Sequence, residues 1–122
     1  MKIQLIGLPC SGKTTAIKKY LSMNSNISYI DYAQFSTENQ CIKKVKSTKG
    51  KVLVESACGL SHFKSIVILY KQPIDRIYSR HKRRGEELDE DYLSLLQTAM
   101  LKPQYTVTTN KALFSTLNLL FY

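Results

Sequence analysis

Short apolar runs alternate with polar and charged segments along the whole chain. Runs rich in β-branched and aromatic residues are typical of strands, and two of them, at residues 51–55 and 65–70, are apolar on both faces. Strands of that kind are buried between two layers. The pattern predicts five strands, at residues 2–6, 27–32, 51–55, 65–70 and 104–108.

The segments between the predicted strands have helical periodicity and carry capping residues at their starts. In the last of them, Leu113, Leu117, Leu120 and Phe121 fall on one face. Gly85 is placed to end a helix in the left-handed conformation. The sequence predicts helices at residues 13–23, from a cap at Ser36 or Thr37 to about Ser47, from Pro73 to about Arg84, after a cap at Asp89, and after a cap at Asn110.

Strands that alternate with helices define the expected fold class. A helix between two strands makes a right-handed crossover, so the strands it joins are parallel. We therefore expect an α/β fold in three α/β/α layers, with a five-stranded parallel sheet in one domain over residues 1–122. Ligands of such sheets bind beyond the carboxyl ends of the strands, which is where candidate site residues belong.

A phosphate-binding sequence lies between the first predicted strand and the first helix. Residues 7–14 read Gly-Leu-Pro-Cys-Ser-Gly-Lys-Thr and match the Walker A pattern at every fixed position. In this pattern the glycines let backbone amides point at a phosphate, the lysine reaches the β- and γ-phosphates, and the final hydroxyl ligates magnesium. The sequence predicts a site for ATP and Mg²⁺ formed by Gly7, Leu8, Pro9, Cys10, Ser11, Gly12, Lys13, Thr14 and Thr15, with Thr14 as the metal ligand.

The chain is basic, with 18 lysines and arginines against 9 acidic residues and a net charge of +9. This excess favours polyanionic partners such as nucleotides or nucleic acid, without choosing between them. Three cysteines at irregular spacing and two histidines match neither a disulfide framework nor a metal-binding pattern, as expected in a reducing compartment. No run approaches the roughly 20 apolar residues of a membrane helix, so we expect a cytoplasmic protein without membrane contact.

Two other classes of phosphate-loop protein fit the sequence less well. A switch GTPase needs Asp-x-x-Gly and Asn-Lys-x-Asp segments, whereas residues 110–113 read Asn-Lys-Ala-Leu and lack the final aspartate. A motor or assembly ATPase normally has a hydrophobic strand that ends in Asp-Glu, whereas the third strand here ends in Val-Glu-Ser. The sequence thus disfavours a switch GTPase, and it weakens the interpretation as a motor or assembly ATPase without excluding it.

Carboxylates at strand ends are the candidates for handling a phosphate acceptor. Asp31 lies at the carboxyl end of the second predicted strand and Glu55 at that of the third, so both belong on the side of the sheet where ligands bind. We expect Asp31 to act as the catalytic base and Glu55 to contact a magnesium-bound water or the acceptor. Either carboxylate is also a candidate for holding magnesium through water.

A basic segment in the second half of the chain carries a family resemblance. Residues 75–87 read Asp-Arg-Ile-Tyr-Ser-Arg-His-Lys-Arg-Arg-Gly-Glu-Glu, and residues 91–96 read Asp-Tyr-Leu-Ser-Leu-Leu. With the phosphate loop and Glu55, this stretch resembles the nucleoside and nucleotide kinases, above all deoxynucleoside and thymidylate kinases. Ser56 stands where an arginine follows the glutamate in deoxynucleoside kinases. The resemblance implies a lid-like segment at about residues 76–88, whose catalytic cations are Arg76, Arg80, Arg83 and Arg84.

The resemblance implies an ATP-dependent kinase that moves the γ-phosphate to a nucleoside or nucleoside monophosphate. Kinases of other small acceptors, such as shikimate-like alcohols or adenylylsulfate, share that mechanism. Two alternatives stay open: a polynucleotide 5′-hydroxyl kinase or nucleic-acid-associated ATP-binding protein, which the basic excess favours, and a non-catalytic nucleotide binder, which the short chain favours. The apolar last helix is a candidate for covering the sheet or joining a homodimer.

Overall fold

Five parallel strands form one sheet in the computed structural model, which describes residues 1–9, 11–85 and 89–122. The strands are β1 (Lys2–Ile6), β2 (Ile27–Asp31), β3 (Lys51–Ser56), β4 (Ile66–Tyr70) and β5 (Tyr105–Val107). They lie in the order β2-β3-β1-β4-β5, and every neighbouring pair is parallel. The five predicted strands and the parallel sheet are therefore confirmed.

Helices and one short turn connect the strands in the described residues. They are α1 (Lys13–Met23), a 3-10 turn at Tyr32–Gln34, α2 (Glu38–Ser47), α3 (Ile74–Arg83), α4 (Glu90–Ala99) and α5 (Asn110–Phe121). Thr37 caps α2 and Asp89 caps α4, as predicted. No helix in this part of the chain is both long and apolar enough to cross a membrane.

Several element ends differ from the predicted ones by one residue. The cap of α5 is Thr109, which accepts a hydrogen bond from the Ala112 amide at 3.1 Å, and the predicted cap, Asn110, is the first helical residue. Three capping residue types stand in a row there, Thr-Thr-Asn, and the backbone turns at the middle one. β2 ends at Asp31 because Tyr32 enters the 3-10 turn, and β5 spans only three residues.

Alternate residues of the strands pack into two separate cores. On one face of the sheet, Leu5 and Leu53 pack with residues of α1 and α5 such as Tyr20 and Leu117. On the other face, Val54 packs with residues of α2. Helices cover both faces, which confirms the three-layer arrangement. A large apolar side chain buried in this way contributes roughly 1.5–3 kcal/mol.

A buried glutamine in the central strand holds the segment that follows β3. The Gln4 side chain is fully buried, and its Oε1 accepts a hydrogen bond from the Leu60 amide at 2.7 Å. Its Nε2 donates to the Leu60 carbonyl at 2.7 Å and to the Ser65 hydroxyl at 2.8 Å. These bonds offset the cost of burying the amide. They fix the loop beside the carboxyl end of β3.

The strand register gathers the carboxyl ends of three strands around the phosphate loop. β1 lies between β3 and β4, and its last residue, Ile6, pairs with Ser56 on one side and Leu69 on the other. Between β2 and β3, Asp31 pairs with Glu55. Both candidate carboxylates therefore lie at one edge of the sheet, next to the loop that leaves β1.

Candidate functional site

The phosphate loop connects β1 directly to the start of α1. Gly12 precedes the helix with a φ of +93°, a left-handed conformation that favours glycine, and no side chain caps the helix there. The first backbone amides of a helix have no partner within the helix itself, so this helix start suits an external acceptor. Cys10, predicted to belong to this loop, lies outside the described residues.

The first glycine of the loop is held between two strand ends. The Gly7 amide donates a hydrogen bond to the Ala57 carbonyl at 3.2 Å. On the other side, a Cβ at this position would lie 2.7 Å from the Tyr70 carbonyl oxygen, which is a steric clash. Residues after β3 and at the end of β4 thus fix the loop, and only glycine fits at its start.

The loop lysine lies inside the loop that it belongs to. Lys13 is 8% exposed, and its Nζ donates hydrogen bonds to the carbonyls of Gly7 at 2.5 Å and Leu8 at 3.1 Å, with Ser11 Oγ at 3.4 Å. A buried ammonium surrounded by backbone oxygens is a positive charge held in one place. It stands where the Walker A pattern predicts a group that contacts phosphate.

A carboxylate and two hydroxyls form a hydrogen-bonded cluster beside the loop. The Thr14 hydroxyl donates to Glu55 Oε2 at 2.6 Å, and the Tyr29 hydroxyl donates to Glu55 Oε1. Glu55 is 7% exposed. Burial, followed by the hydrogen bond to Glu55, raises the pKa of Tyr29 well above its ordinary value, so the phenol stays protonated and continues to donate. The proposed metal ligand and the proposed metal-side carboxylate are thus in direct contact.

Asp31 lies at the end of β2 and caps the turn that follows it. Its Oδ1 accepts a hydrogen bond from the Ala33 amide at 3.0 Å, which orients the carboxylate. The side chain is half-buried, and it lines the same cavity as Glu55 and Lys13. The structure therefore brings together the three residues that the sequence assigned to acid–base, metal and phosphate chemistry.

Of the four candidate lid arginines, Arg80 lies against the phosphate loop. Its Nη1 is 3.0 Å from the position that a Cβ on Gly12 would occupy. Arg76 instead donates to Gln72 Oε1 at 3.0 Å, while Arg83 and Arg84 are exposed at the end of α3. Gly85 follows with a φ of +71°, as predicted. The predicted lid-like segment, residues 76–88, continues into residues 86–88, which lie outside the described residues.

Among the described residues, one acidic and one apolar cavity adjoin the phosphate loop. The acidic cavity has a volume of about 540 Å³ and includes Lys13, Asp31, Tyr32, Glu38, Glu55 and Tyr92 in its lining. The apolar cavity, of about 620 Å³, lies at the end of β4 and is lined by residues such as Leu8, Leu69, Pro73, Ile77 and Met100. The acidic cavity joins the phosphate loop to the two strand-end carboxylates.

Comparison with solved structures establishes the fold. Kti12 from Chaetomium thermophilum, in complex with ADP-AlF3, has a TM-score of 0.71 at 13% identity over 100% of both chains. A shikimate kinase from Aquifex aeolicus vf5 has a TM-score of 0.62 at 15% identity, covering 98% of this chain and 94% of that one. A sugar kinase from Janibacter sp. HTCC2649 has a TM-score of 0.64 at 11% identity, covering 98% and 93%.

The chain has a P-loop kinase fold. No protein-family model matches its sequence, and no curated protein matches it either. The likeness is therefore one of structure: two of these neighbours are named as kinases of different acceptors, shikimate and a sugar, and deoxynucleoside and thymidylate kinases are not singled out among the three.

Several residues of this P-loop kinase fold were missed by the sequence reasoning. Tyr29 stands two positions before Asp31 in the same strand, and that spacing places both on one face, so strand alternation carried the signal. Gln72 donates to the Thr108 carbonyl at 2.7 Å and accepts from Arg76, tying α3 to the segment before α5. Nothing in the sequence indicated the contact between Gln72 and Thr108, because these two residues are 36 positions apart in the chain.

Proposed function

We propose that this protein is an ATP- and magnesium-dependent kinase that transfers the γ-phosphate to a nucleoside or nucleoside monophosphate. The observation that carries the proposal is the acidic cavity, because one space of about 540 Å³ is lined both by Lys13 of the phosphate loop and by the strand-end carboxylates Asp31 and Glu55. A transfer enzyme needs its donor phosphate and its acceptor in adjoining positions.

The phosphate loop would hold the phosphates of ATP. The backbone amides at the start of α1, the positive end of that helix and the Lys13 ammonium all favour an anion at the same point. Gly7 and Gly12 keep the loop in the shape that these contacts need. The loop binds and orients the donor.

The oxygen donors beside the loop suit Mg²⁺. Magnesium prefers hard oxygen ligands and keeps several waters, so one hydroxyl and one nearby carboxylate are a sufficient protein contribution. Thr14 would ligate the ion, and Glu55 would hold Thr14 or a metal-bound water in place, with Asp31 as a second water-mediated contact. The bound ion would supply charge neutralisation to the transferring phosphate.

Arginines of α3 would stabilise the charge that develops during transfer. A cation fixed beside the γ-phosphate oxygens acts mainly on the transition state. Arg80, which lies against Gly12, is the first of these. Arg76, Arg83 and Arg84 lie on the same helix or at its end and would join it when the segment closes on the nucleotide.

Asp31 would receive or orient the acceptor hydroxyl. The Ala33 amide fixes one of its oxygens, and the carboxylate lines the cavity that the acceptor would enter. A carboxylate in that position can accept a hydrogen bond from a hydroxyl and then its proton, as general-base catalysis requires. Glu55 is engaged by Thr14 and Tyr29, which leaves Asp31 as our choice of base.

A second candidate function is a kinase of another small alcohol or of a sugar. Structures named as shikimate, sugar and gluconate kinases are similar over nearly the whole chain, which supports that class as an alternative acceptor. The same donor-side residues would serve either acceptor, since only the lining of the acceptor cavity distinguishes them.

A transfer screen tests the proposal. ATP labelled in its γ-phosphate is incubated with magnesium and, separately, nucleosides, nucleoside monophosphates, sugars, small alcohols and 5′-hydroxyl oligonucleotides. We expect label in a nucleoside or nucleotide product, and none with Lys13→Ala. Label only in a sugar or alcohol would support the second candidate, label in the oligonucleotide would support a polynucleotide kinase, and ATP binding without any product would contradict kinase activity.

A further inference from the structure

We propose that the acidic cavity selects acceptors that carry hydroxyl groups and no negative charge, so that nucleosides are phosphorylated and nucleoside monophosphates are rejected. The inference rests on the proposed function and narrows its substrate class. It follows from the charges that line the cavity, from the hydrogen bonds that occupy Lys13, and from two tyrosines at the wall.

The cavity is acidic although the protein is basic. Among the described residues, its lining holds the three carboxylates of Asp31, Glu38 and Glu55 and one basic side chain, that of Lys13. The chain as a whole has a net charge of +9. The excess of positive charge thus lies elsewhere, and an anionic group that entered the cavity would meet like charges.

The positive charge of Lys13 does not attract an anionic acceptor in addition to ATP. Its ammonium is bonded to the Gly7 and Leu8 carbonyls, and in the proposed function it serves the phosphates of ATP. The positive charge of a bound magnesium ion would be offset by Glu55 and the phosphates of ATP, so it would not attract a second anion either. Asp31 and Glu38 would still face the acceptor, and both repel a phosphate or carboxylate that an acceptor carries.

The same lining suits hydroxyl groups and a planar ring. Carboxylates accept hydrogen bonds from hydroxyls, and such charge-assisted bonds are stronger than neutral ones. Tyr32 and Tyr92 line the cavity with aromatic surface, on which a nucleobase can stack. An uncharged nucleoside offers both features, and its monophosphate adds only the repelled group.

The cap of α2 places Glu38 at the cavity. Thr37 caps α2 by accepting a hydrogen bond from the Gln40 amide at 3.2 Å, so Glu38 stands in the first helical turn, where the helix dipole favours an acid. The path from β2 through the 3-10 turn brings this helix start to the cavity wall. Glu38 is therefore the residue to change in a charge test.

The experiment compares kcat/KM for nucleosides and for their 5′-monophosphates, with sugars and the corresponding sugar acids as a second pair. We expect the uncharged member of each pair to be preferred by about a hundredfold, since a like-charge contact costs several kcal/mol and 1.4 kcal/mol is tenfold. Glu38→Arg should shrink that ratio at least about tenfold. The matched control is Asp75→Arg, another exposed acid in the first turn of a helix, which should leave the ratio unchanged.

Acceptor binding, measured by calorimetry on protein loaded with ADP and magnesium, separates this inference from the proposed function. Preferred binding of uncharged acceptors without transfer would uphold the charge selection and overturn the kinase activity. A preference for the monophosphates, in transfer or in binding, would overturn the charge selection and leave the kinase activity standing. Binding of neither class would overturn the acceptor site itself.

Discussion

The Thr14 hydroxyl donates a hydrogen bond of 2.6 Å to the Glu55 carboxylate, although the two residues are 41 positions apart in the sequence. The parallel pairing of β1 with β3 makes this contact, because it places the end of β3 beside the loop that leaves β1. The bond links the proposed metal ligand, Thr14, to a buried acid, Glu55.

Removing the charge of Glu55 should weaken magnesium binding. In Glu55→Gln, Thr14 loses a charge-assisted hydrogen bond and the metal loses a nearby carboxylate. We expect the magnesium concentration needed for half-maximal ADP binding to rise roughly 10–100-fold. Glu38→Gln is the matched control, since it removes a carboxylate of the same cavity that lies on helix α2 rather than on strand β3. An equal magnesium dependence in the two variants would contradict the role of Glu55.

Arg80 should act on turnover more than on binding. Its guanidinium lies beside Gly12, so Arg80→Ala removes a cation from the phosphate loop. We expect kcat to fall about 10²–10³-fold, while the ADP dissociation constant rises less than about tenfold. Steady-state kinetics and calorimetry measure the two effects.

Arg83→Ala provides the comparison for Arg80 on the same helix. Arg83 is exposed at the end of α3, and we expect a smaller loss of kcat when it is removed. Equal losses in turnover and nucleotide binding for Arg80→Ala would show that this arginine serves binding alone.

A methyl group on Gly7 should destabilise the protein and disturb the loop. Its Cβ would lie 2.7 Å from the Tyr70 carbonyl, and a backbone oxygen cannot move aside cheaply. We expect Gly7→Ala to cost about 1–3 kcal/mol in the free energy of unfolding and to weaken ATP binding at least tenfold. At Gly50, a Cβ would have no neighbouring atom within 4 Å, so Gly50→Ala introduces only the strain of an alanine at a φ of +84°. We therefore expect Gly50→Ala to lower the stability of the protein and to leave its ATP affinity unchanged. Urea unfolding and nucleotide titration distinguish the two.

The stability of the fold should fall at high pH through Tyr20. Burial, and then the nearby Tyr122, raise the pKa of Tyr20 from 10.0 to about 12. The neutral phenol is therefore favoured in the folded state. Its contribution to the free energy of unfolding is complete below pH 10 and is lost as the pH rises through 12. We expect the difference in unfolding free energy between the wild type and Tyr20→Phe to shrink across that interval. A difference independent of pH would contradict the buried, protonated phenol.

Most of the fold was predictable from local sequence patterns. Strands with apolar faces, helix caps at Thr37 and Asp89, and the stop at Gly85 are decided by neighbours in the sequence, so they were predictable. The Walker A pattern likewise predicted a loop between a strand and a helix, as the structure has between β1 and α1. The cap of α5 was predicted one residue late because adjacent residues are equally suited to it.

The contacts across the site were less accessible to sequence reasoning. Asp31 and Glu55 were placed correctly at strand ends, since parallel strands present those ends on one side. The bond from Tyr29 to Glu55 and the approach of Arg80 to Gly12 depend on tertiary packing, for which one sequence offers no direct signal. Glu38 falls inside a predicted helix, and its place in a cavity follows from the path of the chain after β2.

The most direct test of kinase activity is a phosphate balance in the wild type and in Lys13→Ala. Both ADP and the phosphorylated acceptor are quantified in the same samples, with circular dichroism to verify that the variant is folded. We predict equal amounts of ADP and phosphorylated acceptor from the wild type, and neither product from the variant, because the variant lacks the buried Lys13 ammonium of the loop. Release of free phosphate in place of phosphorylated acceptor, or full transfer by folded Lys13→Ala, would contradict the account.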